Sequence, residues 1–408
     1  MNILFIVPYV PNLIRVRSYN LIRQLAARGN LLTVCTLWTN EQEQADANIL
    51  DQYPGVQVIA LPQPSWQSIW NCARTLPSNV PLQAVYSWQP EMANTISRLL
   101  GPDGKAPFDV VHVEHLRGSH YGLRVKAHPS QIPVVWDSVD CISYLFEQAS
   151  GQSRSIFGRF VTRLDLERTR RYEGWLASQF DRTVITSRVD KQAMLDLVPK
   201  TTQPAPIDIL PNGVDWEYFG EGEELPRDPA TVVFSGKMSY HANITMVTYL
   251  VNEIMPVVWG RRPDAKLVIV GKNPPQKIRA LADNPAITVT GTVPDLRPYL
   301  RRATLGVVPL VYGAGSQLKL LEAMACGTPV VATPRAVKAL SIEPGRDLMV
   351  AEEPAEFAER MLEIFHQPDL SRRIGQSGRS YVKENHRWAT IAEDLESIYQ
   401  LASSVQPK

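Results

Sequence analysis

The chain has 408 residues, 44% hydrophobic and 20% charged, with nine tryptophans, a composition with ample core that excludes a largely disordered protein or a fibre. At roughly 100–200 residues per domain, this length suggests two compact units. Lys plus Arg total 42 against 41 Asp plus Glu, so no basic excess advertises nucleic acid as a partner.

The four cysteines, Cys35, Cys72, Cys141 and Cys326, form no Cys-x-x-Cys pair; neither a disulfide framework nor a zinc site is expected, and a reducing compartment fits. The first apolar run, Ile3 to Val7, has no basic leader and stops at Pro8 and Pro11. It is too short for a signal peptide or membrane span, which points to a cytoplasmic protein.

That run predicts a strand, followed by a loop and a helix from about Ser18, with Leu21, Ile22, Leu25 and Ala26 on one face and Gly29 as stop. Further strands are predicted at 31–37, 56–61, 109–113, 133–136 and 183–186. Several are near-continuous Val/Ile/Leu runs, as strands buried on both faces of a parallel sheet require. The segment VPKTTQPAP, between Leu195 and Leu210, carries three prolines and reads as an interdomain crossover. Beyond it the pattern restarts, with strands at 231–235, 267–270, 287–290, 304–309 and 329–332 and helices near 243–259, 276–282 and 316–326. Three helices near 354–365, 370–384 and 388–401 close the chain. The fold class expected is therefore α/β, with two facing Rossmann-like doubly wound domains, at 1–198 and 205–385, and a cleft between them as the default site. The last helix, about 386–403, is expected to pack back on the first domain.

The strand at 304–309 leads through VYGAG into a helix that begins near Ser316. Glycines at 313 and 315 and a capping Ser316 leave backbone N–H groups pointing outward, where an anion fits. Lys319 lies in the first turn, where the helix dipole disfavours a cation unless a negative group is close. Glu322 is its neighbour three residues on, so a plain Lys–Glu pair on a solvated face competes with a phosphate site. In the first half, Arg15 and Arg17 lie in the loop after the first strand and are candidates for an acceptor or a phosphate. Glu114 and His115 follow the strand at 109–113, at the carboxyl end where doubly wound sheets place their ligands. Asp137, in WDSVD, is a candidate base or acceptor contact, while Asp140 reads as a helix cap. Six arginines between Arg154 and Arg171 allow either a peripheral membrane contact or a long helix with solvated arginines.

The stretch KLLEAMACGTPVVAT, from Lys319 to Thr333, with LPNGVD at Leu210, FSGKM at Phe234, LVIVGKNP at Leu267 and VTGTVPDL at Val289, resembles the C-terminal domain of GT-B glycosyltransferases, specifically the GT4-like retaining group. The resemblance covers essentially all of 180–333 and more loosely the rest. It implies two Rossmann-like domains, a nucleotide-diphosphate sugar held by the second and an acceptor held mainly by the first, with retention of anomeric configuration. It also implies no metal cofactor. Glu322 matches the second glutamate of the family's Ex7E element, whose usual role is ribose binding, whereas Ala314 replaces the first. A sub-branch with a GxxxKxxE pattern matches Gly315, Lys319 and Glu322. Gly236 and Lys237 fall on the diphosphate clamp, whose second cation is missing near Ala242 or Asn243; Lys319 is expected to supply that charge. Gly271 and Lys272 lie on the next strand-end loop, and Val293 to Leu296 would offer backbone groups to the base. A family histidine aligns with Glu114, so either Glu114 or His115 faces the donor sugar. The glycine-rich loop usual after the first strand is absent from PYVPNLIRVR. The expected activity is hexosyl transfer to a sugar, lipid-linked or small-molecule acceptor. A nucleotide-sugar 2-epimerase and a non-catalytic pseudo-glycosyltransferase subunit share the architecture and remain as alternatives.

Overall fold

The computed structural model describes residues 1–102, 106–150, 156–223, 225–312 and 318–404, and their side chains except at 149, 150 and 156–164. It divides into two compact units, one of Met1–Pro211 with Ile391–Lys408 and one of Asn212–Thr390.

The first unit is built on seven parallel strands, β1 (Asn2–Val7), β2 (Leu31–Trp38), β3 (Val56–Pro62), β4 (Val110–Glu114), β5 (Val134–Val139), β6 (Arg182–Ile185) and β7 (Ile207–Ile209), in the order β3-β2-β1-β4-β5-β6-β7. Strand β1 shows why: Ile3 to Val7 are all buried, so both faces need helical cover, which crossover helices between parallel strands provide. Order reverses between β1 and β4, and the loops leaving their carboxyl ends frame the natural ligand position of such a sheet. The proline segment does not run between the units. Ala205 N donates to Ala177 O at 2.8 Å and Ile207–Ile209 pairs with β6, so the prolines lead into a seventh strand too short to show a period.

The second unit repeats the design with β8 (Asp228–Ser235), β9 (Lys266–Val270), β10 (Ile287–Gly291), β11 (Ala303–Val308), β12 (Val330–Ala332) and β13 (Met349–Val350), all parallel, in the order β10-β9-β8-β11-β12-β13. Its core interdigitates Val232, Phe234, Leu267, Ile269, Leu305 and Val307 with the helix Leu318–Ala325 through Leu320, Leu321 and Met324. The helix predicted over 243–259 is interrupted: His241–Tyr249 passes through a π-helical turn, Leu250–Ile254, into Met255–Arg261. Pro256 supplies the reason, having no N–H to donate to the preceding turn and crowding its carbonyl.

The closing helix, Trp388–Ser404, changes unit near its start, and from Ile391 it belongs with the first. There the Glu396 carboxylate accepts from Arg28 Nε at 2.8 Å and from Asn30 Nδ2 at 2.5 Å, and Tyr399 is fully buried.

Two loops of the second unit touch backbone to backbone. A Cβ built on Gly271, whose φ is +154°, would lie 1.7 Å from Gly236 O, whereas one on Gly291 meets nothing within 4 Å. Gly271→Ala should therefore force the β8 and β9 loops apart and cost about 2–3 kcal/mol, while Gly291→Ala pays only the left-handed backbone cost of roughly 1–2 kcal/mol. Denaturant unfolding of the two variants checks this ordering, and equal losses would show that the close approach is not what selects glycine at 271.

Candidate functional site

In the second unit, β8 ends in Ser235 and passes through Gly236 to an exposed Lys237, and β9 ends in Val270 and passes through Gly271 to an exposed Lys272. The two loops are stitched by Gly236 N donating to Val270 O at 3.0 Å and Met238 N donating to Lys272 O at 2.9 Å. Buried Asn243 joins them to the helix Leu318–Ala325: its Nδ2 donates to Lys237 O at 2.9 Å and its Oδ1 accepts from Lys319 Nζ at 2.5 Å. Gly236, Lys237, Gly271, Lys319 and Asn243 thus converge, and Asn243 is a contact that sequence reasoning had marked only as the place of a missing cation.

Lys319 and Glu322 are half-buried on this helix. The Lys319 ammonium lies 5.5 Å from the centre of the Phe234 ring, and no carboxylate among the described residues is within ion-pair distance of it. Loss of water pushes Lys319 down to about 8, with the charge of Glu322 opposing; the same loss pushes Glu322 up to about 7, with Lys319 opposing. The pair is therefore not the solvated surface pair that spacing alone permits. Gly315 and Ser316, with Ala314, lie outside the described residues. Val293 and Leu296 are half-buried after β10 and pack on the core, and between them Asp295 binds Arg297 and accepts from Tyr218 Oη at 2.9 Å.

The first unit gathers a buried polar cluster at the carboxyl ends of β1, β4 and β5. Arg17 is not a loop residue but lies in the first turn of the helix Val16–Ala27, buried, with Nε 2.9 Å and a terminal nitrogen 2.8 Å from Asp137 Oδ2. It also donates to the carbonyls of Leu210 and Pro211. Asp137 Oδ1 accepts from Val139 N at 3.0 Å, so this fully buried carboxylate is committed to Arg17 and the chain rather than offered to an acceptor. Burial pushes its carboxyl up, and Arg17 holds it back.

Glu114 is buried beside it, accepting from Tyr9 Oη at 2.5 Å and Ser18 Oγ at 3.1 Å through Oε1; Oε2 has no partner among the described residues. Burial, reinforced by Asp137, pushes Glu114 up to about 7. His112 is fully buried, stacked on Phe5 at 4.1 Å, with Nδ1 2.9 Å from Tyr399 Oη and Nε2 3.9 Å from Asp137 Oδ2. Burial and then Arg17 push it down to about 3, so it is neutral. His115 is half-buried, its Nδ1 accepts from Arg117 N at 3.3 Å, and burial followed by Arg117 lowers it to about 3. Two non-glycine residues here have left-handed backbone, His115 at φ +66° and Val139 at φ +67°. For a β-branched residue that conformation is strained by about 1–3 kcal/mol, and such strain gathers at functional positions. Glu114, His115, Asp137 and Arg17 are therefore brought together, whereas Arg15 pairs with Glu43 at 3.0 Å.

Other expectations are redistributed. Asp140 does not cap the helix Ile142–Ser150; Glu173 does, accepting from the backbone nitrogens of Ile142 at 2.7 Å and Ser143 at 2.9 Å, a long-range partner that local sequence cannot reveal. In the basic stretch, Arg154 and the side chains of Arg159 and Arg163 lie outside the described residues. Arg168 donates to Leu76 O at 2.7 Å and Arg170 lies 3.5 Å from Glu147, so these two are engaged within the protein. A cavity of about 460 Å³ at the amino ends of β8 and β11 is lined by five arginines, among them Arg227, Arg301 and Arg379. Those three donate to the carbonyls of Ala303, Gly327, Phe219 and Gly220, closing helix ends rather than serving the lysine site at the opposite ends of the strands. Among the described residues, no group of three or more His, Cys, Asp or Glu side chains is placed to hold a metal ion, and no helix is long and apolar enough to cross a membrane.

This geometry agrees with what the chain resembles. Over 242 residues, or 54% of this chain and 53% of its relative, it is 25% identical to D-inositol 3-phosphate glycosyltransferase of Acidothermus cellulolyticus. Over 204 residues, or 47% and 53%, it is 28% identical to phosphatidyl-myo-inositol mannosyltransferase of Mycobacterium tuberculosis. The chain thus spans about half the length of the curated relatives it matches. Its backbone superimposes on sucrose-phosphate synthase of Thermosynechococcus elongatus with a TM-score of 0.68, 18% identity and complete coverage of both chains. Against Anabaena HepE, solved with UDP, the TM-score is 0.63 at 14% identity, covering 98% of this chain and 100% of that one. These likenesses mark the paired parallel sheets as the GT-B fold. The family model for glycosyl transferases group 1 matches residues 229–367 and that for Glycosyltransferase Family 4 matches residues 14–218: the chain belongs to glycosyltransferase family 4.

Proposed function

We propose that this protein is a glycosyltransferase that moves a hexose-like sugar, with retention of configuration, from a nucleotide diphosphate to an acceptor hydroxyl. The observation that carries this is the Lys319 ammonium, half-buried, held by a neutral amide and lacking a counter-ion among the described residues. Such a cation is stabilised when an anion arrives beside it, and a diphosphate is the anion that the rest of the site suits. Lys237 supplies the second charge from the β8 loop, Glu322 receives the ribose hydroxyls, and the chain from Val293 to Leu296 meets the base.

In the transfer, the bond between the anomeric carbon and the diphosphate oxygen breaks, the acceptor oxygen bonds the same carbon from the same face, and the acceptor proton passes to the departing phosphate. No protein base is needed at that step, which agrees with Asp137 being locked to Arg17. His115, half-buried at the end of β4, meets the donor sugar, and Glu114 behind it fixes the loop through Tyr9 and Ser18. Arg15 and the first unit attend the acceptor. The 28%-identical relative named for phosphatidyl-myo-inositol supports an acceptor of the lipid-linked class. The two lysines offer the leaving diphosphate positive charge without a metal, so turnover is expected to persist in EDTA.

Thermal-shift titration with UDP, GDP, ADP and TDP sugars should single out one base, because ligand binding to the folded state raises its melting temperature. Lys319→Ala should weaken that donor about 10- to 100-fold, the worth of one or two charge-assisted hydrogen bonds, while the ligand-free melting temperature stays nearly constant; undiminished affinity would reject the assignment.

A pH titration tests the same residue independently. The free ammonium loses its proton as pH rises through about 8, and the bound diphosphate favours the protonated form. Glu322, pushed up to about 7, titrates below it, so the signature of Lys319 is a further fall in donor affinity of up to about tenfold per unit above pH 8. In Lys319→Ala that fall should vanish, and its persistence there would assign it to another group.

A further inference from the structure

The helix Ser65–Thr75 is turned inside out. At about 100° per residue, positions 66, 69, 70, 73 and 76 share an arc of about 120°, and that arc faces solvent: Trp66 and Ile69 are 68% exposed, Trp70 63% and Leu76 54%. The opposite face carries small or polar residues and packs inward. Buried Ser68 accepts from Gln63 Nε2 at 3.1 Å, and Asn71 Nδ2 donates to Trp88 O at 2.7 Å. An ordinary surface helix turns its apolar stripe to the core; here two tryptophans and an isoleucine are held in water by polar bonds on the other side.

We infer that this outward face docks the protein on an anionic lipid bilayer. Indole rings with an apolar body and an N–H settle at the headgroup level, and a helix that sinks its apolar face into that boundary needs this spacing of anchors. Charge agrees: from Gln52 to Pro90 the chain has no Asp or Glu, and its one charged residue, Arg74, is exposed beside the stripe. The Arg168 guanidinium, bound to Leu76 O at the end of the helix, adds a second positive group. No Asp or Glu in this stretch repels a negative surface, and basic groups near such a surface are each attracted by about 1 kcal/mol. Asp165 of the adjoining helix is turned toward Cys72 and accepts from Leu82 N at 2.9 Å, away from the stripe. The patch is small for a protein partner: three such side chains expose roughly 400 Å², about half of the ~800 Å² that each side of a stable complex buries. The helix leaves β3 at the same end of the first sheet from which Glu114 and His115 leave β4. A hydroxyl carried on a membrane lipid would be met from that edge; only this last link rests on the proposed transfer reaction.

The test is cosedimentation of the full chain with phosphatidylcholine vesicles with and without phosphatidylglycerol, across a salt series. The wild type should partition to the anionic vesicles. Trp66→Ala/Ile69→Ser/Trp70→Ala should bind roughly tenfold or more weakly, and Arg74→Ser should lose affinity chiefly at low salt. The triple variant should keep its melting temperature and its donor-induced thermal shift, which separates failure of the membrane face from failure of the transfer reaction. No wild-type partitioning, or equal partitioning of the triple variant, overturns the inference. So does light scattering that finds a wild-type dimer and a monomeric triple variant, which would give the face to a second copy.

Discussion

One amide organises the lysine site of the second unit. Asn243 gives its nitrogen to the Lys237 carbonyl and its oxygen to the Lys319 ammonium, fixing the β8 loop and the helix Leu318–Ala325 in one arrangement. The chemistry of that side chain matters as much as its reach. A carboxylate in its place would neutralise Lys319 and cancel its attraction for an anion, and an apolar residue would leave the ammonium unheld. A neutral dipole positions the charge without consuming it, which is what a site that must bind and release a polyanion requires.

The first unit treats charge in the opposite way. Arg17 and Asp137 cancel each other out of water, His112 is kept neutral by its burial and by the charge of Arg17, and Glu114 is pushed toward its protonated form while sharing two hydroxyl donors. Burying ions is tolerable when each has a partner and hydrogen bonds satisfy what remains. Glu114 Oε2 and His112 Nε2, which have no hydrogen-bond partner among the described residues, are the exceptions, and they sit near the two strained residues, His115 and Val139. Polar order and backbone strain thus coincide at the carboxyl ends of β4 and β5, the edge where a doubly wound sheet meets its ligand.

Much of this was legible in the sequence because buried strands declare themselves: eleven of the thirteen strands among the described residues are continuous or alternating apolar runs with clear punctuation. Ile207–Ile209 and Met349–Val350 escaped because two or three residues carry no period. The π-turn at Leu250 was implicit in Pro256, a residue that a long amphipathic pattern makes easy to overlook. Lys319 and Glu322 could be found from the helix-dipole argument, since a lysine in a first turn is an electrostatic misfit whatever the fold. Asn243, Glu173 and Tyr399 could not. Their partners lie 76, 30 or 31, and 287 residues away, and an asparagine, a glutamate or a tyrosine on a helix gives no local sign of what it will meet.

The two basic regions of the second unit show why positive charge alone is a poor guide to function. Five arginines line the cavity at the amino ends of β8 and β11, far more charge than the two lysines near the β8 loop provide. Yet Arg227, Arg301 and Arg379 already have acceptors in the carbonyls left over at helix ends, where a guanidinium satisfies several at once. Lys319 has, among the described residues, one neutral acceptor and an aromatic face. An arginine on a carbonyl is near the end of its hydrogen-bonding capacity and gains little from a new anion. A desolvated ammonium held by a dipole and not ion-paired among the described residues gains most of a charge–charge interaction, so the smaller charge makes the stronger claim on a phosphate.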